Sequence, residues 1–264
     1  MARLYPLFSG SSGNSYYIGS AEAGVLIDAG RSAKQIETRL SSAGIAAQAI
    51  KAVFVTHEHS DHVSGLRVFA SRYRIPVYAS QGTMEALCDM EILNGKFPCD
   101  VVPGVGMECA GMHIRPFSVP HDCAEGFGYR VVTSDDRTVV FSTDLGHIPE
   151  TVKDGIYGCD TIVMESNHDV EMLRHGSYPY SLKQRILSKL GHLSNAVCAQ
   201  ELPLLAENGT TRFLLAHLSA ENNTPEAAFQ TALSALSGTG MKQNVDFQLA
   251  VAPRDNQKGA MWIF

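Results

Sequence analysis

One six-residue stretch constrains this chain more than any other: His57-Glu58-His59-Ser60-Asp61-His62, directly after the run Lys51 to Thr56. That run, rich in Val, Phe and Ala, reads as a strand, so the four ligand-type side chains are set down at a strand end. In extended backbone, side chains two apart point the same way. His57 and His59 can therefore share one cation while the chain turns to aim Asp61 and His62 at another. Imidazole and carboxylate together suit zinc, manganese or iron. A merely solvated loop is the poorer reading, because mutual repulsion and desolvation at the end of a buried strand would go uncompensated.

The rest of the chain supplies a β-rich frame. Strand-like runs cover residues 3–8, 14–19 and 24–30, and a helix is predicted over about 32–43 before the strand at 51–56. Further strands are predicted at 77–79, 113–119, 127–133 and 138–142, the last two joined by the turn Ser134-Asp135-Asp136. Residues 159–166 read as a buried strand, and Ser181 with Gln184 has the spacing of a capping box for a helix that Gly191 would end. A second helix starts at about Asn195. Residues 211–217 form a strand, Thr224 and Pro225 start the next helix as N-cap and first helical residue, and residues 245–253 and 260–264 are strand-like. No linker, low-complexity tract or internal repeat divides the chain. Residues 1–264 are read as one α/β domain with helices outside and sheets in the middle.

Composition narrows the function. A 264-residue chain that is 45% hydrophobic can bury a large core. No segment has the pattern of a signal peptide, and no apolar run approaches the ~18 residues of a membrane span, so a cytoplasmic protein without a membrane partner is expected. The six cysteines lack C-x-x-C spacing, which argues against a disulfide framework and a thiolate zinc site. A net charge of −6 opposes general attraction to nucleic acid; a polyanionic substrate would need bound cations or a local basic patch. The run from Met172 to Gln200 holds Arg174, Lys183, Arg185 and Lys189 and no Asp or Glu. It is either a solvated face or a phosphate track. The Ser9-Gly10-Ser11-Ser12-Gly13-Asn14 loop is likewise open between a tight turn and a phosphate cradle; strand formers follow it, so it is not a nucleotide P-loop.

The pattern His-x-His-x-Asp-His resembles the central motif of the metallo-β-lactamase superfamily, and the likeness extends from the first strands to His217. The resemblance implies a four-layer αβ/βα sandwich, two central mixed β-sheets flanked by helices, with metals at one edge. It implies that His57, His59 and His121 hold one divalent ion, that Asp61, His62 and His217 hold a second, and that Asp144 bridges them; the ions would be zinc or manganese, with iron a further candidate. Within the superfamily, the loop at residues 9–14, Glu165-Ser166-Asn167-His168-Asp169, residues 178–186, Gly191 to Asn195 and His217 to Asn223 are similar to the YycJ (WalJ) group, associated with exonuclease activity on DNA. The tRNA-gripping insertion of the related ribonuclease Z has no counterpart.

On that resemblance the expected activity is a dinuclear phosphodiesterase acting on nucleic acid, DNA before RNA. Asp61, His192 and Glu165 would form the catalytic group: His192 protonates the leaving oxygen, Glu165 holds its imidazole, and Asp61 orients the nucleophile. Ser12, Gly13 and Asn14 would hold a substrate phosphate, and Lys183 and Arg185 the neighbouring ones. Hydrolysis of a small thioester or lactone, and a non-catalytic regulatory binding protein, are the competing expectations. The Gly191 to Asn195 segment and the acid-free basic run favour phosphodiesters.

Overall fold

A computed structural model describes residues 2–264. In chain order the first sheet and its helices comprise β1 (Arg3–Phe8), β2 (Ser15–Gly19), β3 (Gly24–Ile27), α1 (Ala33–Ser42), β4 (Ile50–Phe54), the single turn α2 (Ser60–Val63), α3 (Leu66–Tyr73), β5 (Val77–Ala79), α4 (Gln81–Asp89) and β6 (Cys99–Val101). The second comprises β7 (Met107–Cys109), β8 (Met112–Ser118), β9 (Phe127–Val132), β10 (Thr138–Ser142), α5 (Glu150–Ile156), β11 (Thr161–Glu165), α6 (Val170–His175), α7 (Tyr180–Ile186), α8 (Asn195–Glu207), β12 (Arg212–Ala216), α9 (Pro225–Gly238) and β13 (Gln248–Val251). The last strand, β14 (Trp262–Ile263), returns to pair with β1.

The sheet orders are β14-β1-β2-β3-β4-β5-β6 and β13-β12-β11-β10-β9-β8-β7. Each sheet passes from an antiparallel half to a parallel half: β3, β4, β5 and β6 run parallel in the first, β10, β11, β12 and β13 in the second. This pairing order is common to both halves although no sequence repeat marks it.

Period-two alternation within strands builds the four layers. Leu4, Ile18, Val25, Ile27 and Phe54 of the first sheet meet Ile114, Tyr129, Val139, Phe141, Val163 and Leu214 of the second in a shared core. Their sequence neighbours point outward: Tyr5, Tyr17, Leu26 and Val53 pack with Ile36, Leu40, Leu66 and Phe69 of α1 and α3. On the other side Val140, Ile162, Met164, Phe213 and Leu215 pack with α5, α8 and α9 through Val152, Ile156, Leu202, Leu205 and Ala232. Strands such as β11, buried at every residue, carry apolar groups on both faces because both are covered.

One predicted element changes. The capping box at Ser181 and Gln184 is not used: α7 begins after Pro179, has no side-chain cap and stops at Ile186. Proline fixes the backbone and lacks an N–H, which suits the helix entrance. Beyond Ile186 the chain folds back, and the His192 N–H donates to the Ile186 carbonyl at 3.0 Å. Gly191 permits this, since a Cβ there would stand 2.2 Å from the same carbonyl oxygen. The predicted starts of α8 and α9 are present: Ser194 accepts from the Val197 N–H, and Thr224 from the Ala227 N–H.

Candidate metal centre and cleft

The loop after β4 carries the first donors. His57 and His59 lie in the irregular segment between β4 and α2, His59 as the N-cap, whereas Asp61 and His62 lie within the one-turn α2. Asp28, at the end of β3, pins this loop from inside the protein. Its carboxylate accepts from the Thr56 N–H and hydroxyl at 2.8 and 2.9 Å and contacts His62 Nδ1 at 2.7 Å. The Asp61 carbonyl accepts from the Asn14 N–H at 2.7 Å, and a Cβ on Gly30 would sit 1.7 Å from that oxygen, so the close approach of these two backbones requires glycine.

The other donors come singly, each from beyond a different strand. His121 follows β8, Asp144 follows β10, Glu165 ends β11 and His217 follows β12. Because β8, β10, β11 and β12 run in one direction, their carboxyl ends share one edge, where crevices of α/β sheets receive ligands. Asp28, Asp144 and His217 all have left-handed backbone, with φ of 63°, 59° and 55°. Non-glycine residues hold this sparsely populated conformation only where the surroundings enforce it.

Among the described residues four groups of donor atoms converge, each within 4.8 Å: His57, His59 and His121; His57, His62 and Asp144; Asp61, His62 and His217; and Asp144, Glu165, His192 and His217. Asp144 joins them, one oxygen 3.3 Å from His62 Nε2 and the other 3.3 Å from His217 Nδ1 and 3.9 Å from His121 Nε2. Among the described residues, His57 Nε2, His121 Nε2 and Asp144 Oδ2 are buried without hydrogen-bond partners. Unused lone pairs in such a setting are costly unless a cation takes them up.

The electrostatics agree. Burial and the neighbouring imidazoles push His57 well below its ordinary value, and burial likewise lowers His121, which favours the neutral form in which an imidazole can ligate a cation. For His62 burial acts the other way from the carboxylates of Asp144 and Asp28, and the carboxylates win. Burial is similarly overridden at His217, pushed up to about 10 by Asp144, Asp61 and Glu165. The excess negative charge that protonates these two rings is what a divalent cation would neutralise. The donor set fits such ions, zinc among them.

His192 stands at the mouth, its Nδ1 bonded at 2.8 Å to Glu165 Oε1, which also contacts His217 Nδ1 at 2.8 Å. The other Glu165 oxygen accepts from the Leu145 and Leu193 N–H groups. Burial would raise this carboxyl, but the two imidazoles hold it well below the carboxylate range. The ring nitrogen of His192 left for a substrate is thus Nε2, facing a cleft lined also by Ser11, Asp61, Asn167 and Ser219.

The remaining residues expected to bind substrate are placed unevenly. Gly13 N–H already donates to Gly10, and Asn14 is wholly buried, its amide reaching Asp61 Oδ2 and His62 Nε2 at 3.3 and 3.0 Å. Ser12 accepts from Arg31 at 2.7 Å, and Ser11 is the loop residue that lines the cleft. Lys183 does not line it: its ammonium donates to the Arg174 and Gly176 carbonyls at 2.9 and 2.7 Å. Arg185 does, paired in two contacts with Asp122. His168 is buried and burial lowers it to about 4, while Cys123 is pushed up to about 12, an inert thiol. Sequence reasoning missed Asp28, Arg31 and Asp122. An aspartate ending an apolar strand before Ala-Gly was a usable signal for the first, and nothing local marked the others.

The family model for the "Beta-lactamase superfamily domain" matches residues 24–218. The chain belongs to this superfamily. It is 38% identical over 247 residues to the exodeoxyribonuclease YycJ of Bacillus anthracis, covering 92% of each chain. It is 37% identical over 247 residues to the exodeoxyribonuclease WalJ of Streptococcus pneumoniae, covering 92% of this chain and 91% of that one. The crystal structure of the metallo-β-lactamase fold protein YhfI from Bacillus subtilis superposes with a TM-score of 0.72 at 15% identity, over 99% of this chain and 98% of that chain, a likeness of fold. Superfamily membership and the converging donors make the protein a metal-dependent hydrolase. No helix among the described residues is long and apolar enough to cross a membrane.

Proposed function

We propose that this protein is a two-metal phosphodiesterase that removes nucleotides from an end of DNA. The observation that carries the reading is Asp144, one oxygen of which lies 3.3 Å from His62 Nε2 of one donor group and the other 3.9 Å from His121 Nε2 of the other. His57, His59 and His121 would hold one ion and Asp61, His62 and His217 the other, with Asp144 between them. When bound, such ions supply Lewis acidity and a hydroxide near neutral pH. His192, kept upright by Glu165, gives its Nε2 proton to the leaving oxygen, and the carboxylate stabilises the imidazolium that does so. Asp61 orients the nucleophile. Of the residues on the loop before β2, Ser11 lines the cleft and is the one placed to meet a phosphate. DNA is preferred over RNA because the two relatives similar over nearly their whole length are called exodeoxyribonucleases.

The test is elemental analysis of protein purified without chelator, followed by incubation with end-labelled single- and double-stranded DNA and RNA and a thioester panel. The expected result is about two ions per chain and stepwise shortening of DNA, abolished by chelation. One ion at saturation sinks the dinuclear site, faster thioester hydrolysis sinks the phosphodiesterase, and RNA cut in preference to DNA reverses the substrate.

A further inference from the structure

The cleft above the donors has two unlike walls. One is polar, with Ser11, Asn167 and Ser219 beside the metal ligands. The other includes Leu182 and Ile186, four residues apart on one side of α7, and Tyr178, which precedes the Pro179 cap of that helix. The cations of this segment are already engaged: Arg185 with Asp122, and Lys183 with two backbone carbonyls. Beside the Asp122-paired Arg185, what this side presents to the cavity is an aromatic ring and two branched aliphatic side chains, chemistry that a phosphate does not use.

We propose that this wall receives the nucleobase of the terminal nucleotide, with Tyr178 stacked on its face and Leu182 and Ile186 against its edge, while the adjoining phosphate lies over the donors. The inference rests on the nuclease reading above and adds to it the element that recognises the substrate. Three observations favour this occupant. The wall is continuous with the metal centre, so whatever lies on it is covalently close to the attacked bond. The cavity, about 340 Å³, is at the small end of the ~300–1,000 Å³ typical of ligand sites, a scale that suits a single nucleoside. Every base has a π-face, so stacking on an aromatic side chain accepts any sequence, as removal of successive nucleotides requires. A base can reach the wall only after leaving its own stack, which ties cleavage to frayed or single-stranded ends.

The experiment compares two single-stranded DNA oligonucleotides that differ only at the end attacked, one carrying a base and the other a tetrahydrofuran abasic unit. Metal-loaded wild type should cut the base-bearing end with a kcat/KM about 5- to 150-fold higher, the span expected for one stacking contact. Tyr178→Ala should bring that ratio close to one, and Tyr178→Phe should keep it, since the ring and not the hydroxyl is used. A binding readout accompanies it: 2-aminopurine placed at the terminus, with slow-cleaving phosphorothioate linkages, should lose fluorescence on binding wild type and Tyr178→Phe but not Tyr178→Ala. If Tyr178→Ala does not fold, Leu182→Ser carries the same comparison with a smaller shift. Equal cleavage of both ends by wild type overturns the base platform and leaves the nuclease reading standing. Cleavage of neither overturns the nuclease reading and the platform with it.

Discussion

The two halves of the molecule build their shares of the metal centre by different means. The first half sets His57, His59, Asp61 and His62 on one loop, held by contacts to the next strand along, through Asp28, and to the turn before β2, through Asn14. The second half supplies one group per strand end, His121, Asp144, Glu165 and His217, and their meeting depends on the register of β10, β11 and β12, in which Ser142 pairs Met164 and Glu165 pairs Ala216. A local motif can thus be complete in six residues, whereas its counterpart has to be assembled by a sheet. Since a one-residue slip turns a strand's side chains to the opposite face, the second half is protected by both faces of β11 being buried.

Breaking the point where the halves meet should have the largest effect. Asp144→Asn keeps the shape of a residue shared by both donor groups but removes its charge. Bound metal should fall and hydrolysis should be lost beyond the roughly 10²- to 10⁴-fold typical of a missing general acid, with the fold retained by circular dichroism. Full metal content with unchanged turnover would remove Asp144 from the shared position and leave the halves independent.

His192→Ala tests the second half without touching a proposed ligand. Turnover should drop by about 10²- to 10⁴-fold with metal content unchanged, and a substrate with a p-nitrophenolate leaving group, which needs no proton, should recover much of the loss. If activated and natural substrates suffer equally, His192 is not the acid.

A smaller and more discriminating pair is Asp28→Asn and Glu165→Gln. Each carboxylate holds the Nδ1 of a donor histidine, Asp28 that of His62 and Glu165 that of His217. Loss of such a partner generally costs about 10- to 100-fold in metal affinity or activity. Asp28→Asn should weaken metal binding and leave the leaving-group dependence unchanged, while Glu165→Gln, which also loosens His192, should change both. Titration with a competing chelator reads the first quantity and the ratio of activated to natural substrate the second. Identical behaviour of the two variants would mean that the halves are supported alike.

The metal motif and most of the strands were legible because their determinants are local. Short, nearly continuous apolar runs define β1, β10 and β12, a hydroxyl three residues before a free N–H caps α8 and α9, and four ligand-type residues fall within six positions after β4. The scattered donors His121, Asp144 and His217 carry no mark of their own, and were recognisable only through resemblance to a family pattern. The tertiary structure alone decided which charges remain free. Arg185 and Lys183 look like a phosphate track in the chain, yet one is paired with Asp122 and the other closes the turn after α6. Ser12, Gly13 and Asn14 look like a phosphate cradle, yet the N–H groups of the last two are bonded within the protein and Asn14 steadies Asp61 and His62. The reason is physical: a secondary-structure preference is written in neighbours a few residues apart, but whether a polar group is satisfied depends on partners the fold brings from far along the chain, and a donor already bonded is no longer available to a substrate.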